Sequence, residues 1–314
     1  SSFLIYSGTT LNFRLLYKTR NLLYTTKAQN SFKPKWNAME AANNESANPV
    51  HPQLRRDWTN YAVSTFLFFF GFSIYAGVFQ NFLRDNLHAG PTDLGSLESL
   101  REIPGLLAAL MAGTLAALAE ARIAGLGLIV TSIGIGISGM ATRFWPLASI
   151  TVFWSIGFHL YASVASAITL ALAQGQEGGK HLGRMSAVGS TATLLALGIS
   201  SCGSKLAPDL SYNVYFAVAG ISIFASGVLC YRLSAHTSHG KRSPIILRKE
   251  YGLYYLLIFL EGCRRQIFSI FASFALILVY KVPLANMLLL QFINAIMISI
   301  TAPYIGKMVD RLGE

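Results

Sequence analysis

The chain has 314 residues, of which 53% are hydrophobic and 12% charged, and its mean hydropathy is +0.47. A soluble domain cannot hide that much apolar surface, so the composition excludes the ordinary soluble classes and points to a membrane protein. The net charge of +11 would elsewhere suggest nucleic acid, but beyond residue 50 most Lys and Arg stand in short loops between apolar runs, so no nucleic-acid partner is expected.

Residues 1–56 read as a basic and polar extension without regular structure. Up to Met39 it carries Arg14, Lys18, Arg20, Lys27, Lys33 and Lys35, many Ser and Thr, and no acid. That is the composition of an organelle transit peptide; the alternative, suggested by Met39 standing directly before a polar segment, is sequence upstream of the working protein. After Arg55 and Arg56 eight apolar runs follow, at about 58–83, 95–119, 123–142, 146–173, 182–206, 213–233, 251–279 and 284–306. Each is near the roughly 20 residues that a helix needs to cross a bilayer. Period-2 alternation is missing, so the spans are helices and a β-barrel is excluded. The fold class expected is all-α, a multi-pass helical bundle, and glycine-rich stretches such as Gly125–Gly139 predict close helix packing.

Six spans (57–233) precede a polar basic linker, residues 234–250, and two more follow it in 251–314. With the amino terminus in the cytosol, the inner side holds Arg55, Arg56, Arg122, Lys180, Arg184, Arg232, Lys241, Arg242, Arg248, Lys249, Lys307 and Arg311. The outer side then holds only Arg84, Arg143, Lys205 and Lys281. This asymmetry predicts a cytosolic amino terminus and linker. The plasma membrane is the expected location, with an organelle membrane as the alternative. Cys202, Cys230 and Cys263 stand singly inside spans and read as small buried hydrophobes, while His236 and His239 read as a solvated loop. No metal site and no cofactor are expected, and no Gly-rich phosphate loop suggests ATP.

The carboxyl-terminal run APYIGKMVDRLGE places Gly306, Asp310, Arg311 and Gly313 in the order G-x-x-x-D-R-x-G. This resembles the signature that follows the second helix of each half in the major facilitator superfamily. After the second span Gly113 keeps its place, whereas Ala117 and Leu118 stand where the signature has Asp and Arg, with Glu120 and Arg122 as displaced substitutes. The resemblance covers about residues 57–314 and implies two six-helix halves enclosing a solute near the middle of the membrane. It also implies four further helices beyond Glu314. The fifth span lacks the Gly-Pro pair of proton-driven drug exporters in this family.

Because members of the family line their path mainly with helices 1, 4 and 7, the resemblance nominates Tyr75, Gln80 and Asn81 on the first span. It likewise nominates Ser155, His159 and Tyr161 on the fourth, and Glu261, Arg264, Arg265 and Gln266 on the seventh, while Gln291 and Asn294 share a face of the eighth. His159 is a candidate proton relay. For the neutral residues an interhelical hydrogen bond is the plainer alternative.

Glu98, Arg101 and Glu102 stand at i, i+3 and i+4, and Glu261, Arg264 and Arg265 repeat that spacing, so each set occupies one helix face. An ionised side chain at the centre of a membrane helix costs on the order of 2.5–3.5 kcal/mol, so such groups normally face a bundle interior. Pairing within each set leaves −1 on the first and +1 on the second. At about 1.5 Å per residue Arg264 lies roughly 20 Å from the inner end of its span and Glu102 roughly 10 Å from the outer end of its own, which is one depth in a core about 30 Å thick. Glu98, Arg101 and Glu102 are therefore expected to gate, and the resemblance adds Gly306, Asp310 and Arg311 of its signature. The function expected is a secondary active transporter moving a small polar or anionic solute by alternating access, not an enzyme. Its partners are the lipid bilayer, the solute and, as a candidate coupling ion, the proton. The alternatives are a proton-coupled drug or metabolite exporter, or a membrane receptor or scaffold on the same fold.

Overall fold

A computed structural model describes residues 52–114, 118–174, 178–234, 251–254, 256–257, 260 and 270–312. The linker 234–250 apart from Ser234, together with Glu261, Arg264, Arg265 and Gln266, lies outside the described residues. The chain divides into two units, Ser1–Arg56 and Asp57–Glu314; of the first, only residues 52–56 are described, as the start of a helix.

The helices are α1 (Pro52–Leu87), α2 (Pro91–Thr114), α3 (Glu120–Ile137, prolonged by a 3-10 turn, Ser138–Met140), α4 (Phe144–Leu172), α5 (Gly178–Leu206), α6 (Tyr212–Tyr231), α7 (Ala272–Leu278) and α8 (Leu284–Leu312). No strand occurs among the described residues. Six of these helices, α1, α3 with its 3-10 extension, α4, α5, α6 and α8, are long and apolar enough to cross a membrane. At 36 residues, α1 is about 54 Å long and outreaches a hydrocarbon core of about 30 Å. The 24 residues of α2 include Asp93, Glu98, Arg101 and Glu102, which set it apart from the apolar spans.

Local chemistry sets the helix ends. Pro91 opens α2, where its missing N–H costs nothing, and Asp93 Oδ2 reaches back to accept from Gly90 N–H at 2.8 Å. Ser211 caps α6, its hydroxyl accepting from Asn213 N–H at 3.3 Å. Pro104 inside α2 leaves the Leu100 carbonyl without its helical donor, just past the charged triplet. Helix α8 runs past the expected end of its span at 306 and continues to Leu312, so Asp310 and Arg311 lie in its last turn.

Packing is by close backbone approach and by hydroxyl bonds. Helix α3 packs on α4 and α6, α2 on α4, and α8 on α5. At the α3–α4 crossing a Cβ on Gly127 would stand 2.6 Å from Gly157 O, and one on Gly157 would meet Gly127 O and Thr131. Helix α1 is the strand of connection. Its Tyr61 hydroxyl donates to Ala165 O on α4 (2.7 Å), and Ser64 and Ser226 exchange hydroxyl-to-carbonyl bonds with α6 (2.9 and 2.7 Å). Ser222 on α6 donates to Leu67 O (2.8 Å), and Ser73 meets Thr193 on α5 (2.8 Å). Such bonds within a membrane bundle average about 0.6 kcal/mol each, so their sum rather than any one of them holds α1 in register.

Gly157→Val is expected to destabilise the bundle by about 1–3 kcal/mol, the usual cost of overpacking. Heating the detergent-extracted protein and measuring the monodisperse fraction should show a lower midpoint. Gly203→Val, where a Cβ would meet nothing within 4 Å, should leave it unchanged.

Candidate functional site

Helices α1, α2 and α4 bring a charged cluster into the interior. Arg101 Nη2 lies between Glu98 Oε2 (2.6 Å) and Glu102 Oε1 (2.7 Å), with the Arg101 and Glu98 side chains 15% and 17% exposed. One guanidinium thus serves two carboxylates, and the three charges sum to −1. The i, i+3, i+4 spacing on one helix face makes this possible.

Helix α4 supports the cluster from below. Ser155 donates to the Arg101 carbonyl at 2.5 Å, and His159 Nε2 stands 3.8 Å from Glu102 Oε2. The imidazole comes this near because residue 105 is glycine: a Cβ there would lie 2.7 Å from His159 Cε1. Aromatic rings close the other side. Tyr75 and Trp154 meet edge to face at 5.3 Å, and Phe72 stacks on Phe158 at 5.2 Å. Tyr61, Ser155 and Tyr161 are buried, and Tyr161 packs on Phe68 at 4.5 Å.

Arg101 Nε makes no hydrogen bond, and the Tyr75 hydroxyl and Trp154 Nε1 lie against one another with no further partner. Nothing in the sequence singled out Trp154; its neighbours on α1, Phe72 and Tyr75, are brought to it only by helix packing.

The other nominated residues lie elsewhere. Gln80 Nε2 donates to Ile270 O (3.1 Å) and Asn81 Nδ2 to Val282 O (3.3 Å), so both hold the segment around α7. Gln291 Nε2 reaches Gly77 O at 3.5 Å, whereas Asn294, one turn on, is exposed. Gly306, Asp310 and Arg311 lie on α8 far along the chain from this contact. No group of three or more His, Cys, Asp or Glu that could hold a metal occurs among the described residues.

A polytopic α-helical bundle with charged groups enclosed among membrane-crossing helices defines the class as an integral multi-pass membrane protein. The model of the Major Facilitator Superfamily matches residues 61–314, and the chain belongs to this family of membrane transporters. Two solved structures are similar in fold, both titled as crystal structures of the nucleoside transporter NupG, one of them a point mutant. The first is 14% identical with TM-score 0.67, covering 82% of this chain and 68% of that one; the second is 13% identical with TM-score 0.68, covering 82% and 69%. No curated protein sequence matches.

Arg101→Leu is expected to leave two carboxylates without their shared cation and to lower stability, by less than the about 3–5 kcal/mol of a fully buried pair because Glu102 is 42% exposed. Glu98→Gln combined with Arg101→Gln should recover much of that loss, since fewer charges remain to be compensated. Thermal unfolding of the detergent-solubilised protein measures both.

Proposed function

We propose that the protein is a secondary active transporter that carries a small polar or anionic solute by alternating access between two six-helix halves. The observation that carries this reading is the half-buried Glu98–Arg101–Glu102 triplet beside His159, with Arg101 Nε, the Tyr75 hydroxyl and Trp154 Nε1 close by. Charge enclosed in a membrane bundle is costly and is usually kept for a solute or ion path. The donors suit a guest rich in oxygen or nitrogen acceptors. NupG, similar in fold, is named as a nucleoside transporter, so nucleosides are the first probes, followed by small organic anions.

The counter-charge for the triplet is proposed to be the +1 set of Glu261, Arg264 and Arg265, with Arg264 or Arg265 meeting Glu98 or Glu102 when the path is shut. Gly306, Asp310 and Arg311 are proposed to act at the other end of α8 as the gating signature of the second half. The linker after α6 is proposed to lie in the cytosol with the amino terminus. His159, 3.8 Å from Glu102, favours a second reading in which proton movement drives export; flux that needs a pH gradient would select it.

Purified protein in vesicles is expected to show saturable counterflow of one member of the probe panel, whereas a receptor would bind without flux. Glu102→Arg alone, and Arg264→Glu or Arg265→Glu alone, should each abolish flux, while one reciprocal pair should restore part of it. Failure of every pair, with the protein still folded, would remove the gate between these helices.

For orientation, a cysteine placed at Ser238 should resist an impermeant reagent applied to intact cells and react once they are opened. Ready labelling of intact cells would reverse the topology.

A further inference from the structure

The end of α1 next to the α1–α2 turn holds the turn between α7 and α8 by its backbone. Helix α7 stops at Leu278, and the chain reverses with Lys281 in the left-handed region (φ 50) and Val282 N–H bonded to Leu276 O at 3.3 Å. Ile277 O belongs to the last turn of α7, where carbonyls have no helical donor. Arg84 Nη1 supplies one, donating to Ile277 O (3.2 Å) and also to Val282 O (3.1 Å). Asn81 adds a second bond to Val282 O (3.3 Å), and Gln80 one to Ile270 O (3.1 Å).

The guanidinium is aimed by a chain of partners. Tyr212 at the start of α6 donates to Asp85 Oδ2 (2.5 Å), and Asp85 Oδ1 accepts from Arg84 Nε (2.5 Å). This leaves Nη1 for the carbonyls. Below the turn α8 packs on the first block at the same end: Ser201 donates to Ala285 O (3.4 Å), a Cβ on Gly77 would meet Leu288 Cδ2 at 2.8 Å, and Phe292 covers Gly198.

We infer that Arg84, set by Asp85 and Tyr212, is a latch that keeps this end of the transport path shut by gripping backbone carbonyls of the α7–α8 turn. The inference rests on the alternating-access reading. Two features suit a contact that must break in every cycle. Arg84 keeps Asp85 on its own helix when the turn leaves, so opening strands no charge, unlike the breaking of a buried ion pair. The latch is also partly wet, with Arg84 23% and Asp85 35% exposed, so water can take over the released carbonyls. A positive group at the carboxyl ends of both α1 and α7 is favoured by their dipoles, which holds the closed state without a carboxylate partner on α7 or α8.

The test uses the full chain with Cys202, Cys230 and Cys263 replaced by Ser and one cysteine at Ser201, which is 4% exposed in the seam. The rate of labelling by a hydrophilic maleimide reports opening. Arg84→Ala is expected to raise it about tenfold, the factor that about 1.4 kcal/mol makes in an equilibrium. Tyr212→Phe, which removes a single hydroxyl and spares the fold, should raise it less. Val282→Ala should leave it unchanged, because only the backbone of that residue is held. An unchanged rate in both Arg84→Ala and Tyr212→Phe would overturn the latch, as would a rise in Val282→Ala equal to that in Arg84→Ala. Labelling needs no solute, so a probe panel without flux counts against the transport reading, and an unchanged labelling rate counts against the latch.

Discussion

The constraint on which this structure depends is the lack of water around its helices. Within a bilayer core an unpaired polar group costs several kcal/mol, so most find a partner inside the bundle. Helix α1 shows the consequence most fully. Its hydroxyls at Tyr61, Ser64 and Ser73 each meet an atom of a different neighbouring helix, α4, α6 and α5 in turn. Because apolar side chains gain nothing from one another that lipid does not also offer, these bonds and the close backbone contacts at Gly127 and Gly157 decide which helices adjoin.

The charged triplet is the exception that the same constraint permits. Arg101 is tolerable because two carboxylates on its own helix face reach it, and the helix needs no other element to assemble that pairing. What α1 and α4 add is enclosure. Ser155 fixes the backbone of α2 at Arg101, glycine at 105 lets His159 approach, and the rings of Phe72, Tyr75, Trp154 and Phe158 exclude solvent from one side. The electrostatic character of the site is therefore local, and its shape is tertiary.

The two ends of α1 have different tasks. Towards its amino end the helix is bonded to α4 and α6, through Tyr61, Ser64 and Leu67. Towards its carboxyl end Gly77, Gln80, Asn81 and Arg84 face segments that follow the linker. One helix thus passes beside the charged cluster and carries the bonds to the segments after the linker.

The sequence alone determined the limits of six of the eight expected membrane helices, those that are long and apolar enough to cross a bilayer among the described residues, since length and hydropathy are the bilayer's own requirements. The six apolar helices begin and end within a few residues of the expected spans, apart from the longer reach of α1 and of α8. The family was legible in Gly306, Asp310, Arg311 and Gly313, and the pairing of Glu98, Arg101 and Glu102 in their spacing, because both are local patterns. The roles of Gln80, Asn81 and Arg84 were not legible, and only the tertiary structure decided them. Their partners are backbone carbonyls nearly two hundred residues away, with |i−j| of 190 to 201, and every residue type carries the same carbonyl, so no pattern of side chains announces that contact. Glycine at 105 likewise carried no signal in the sequence, because a missing side chain acquires meaning only from what fills its space, here His159.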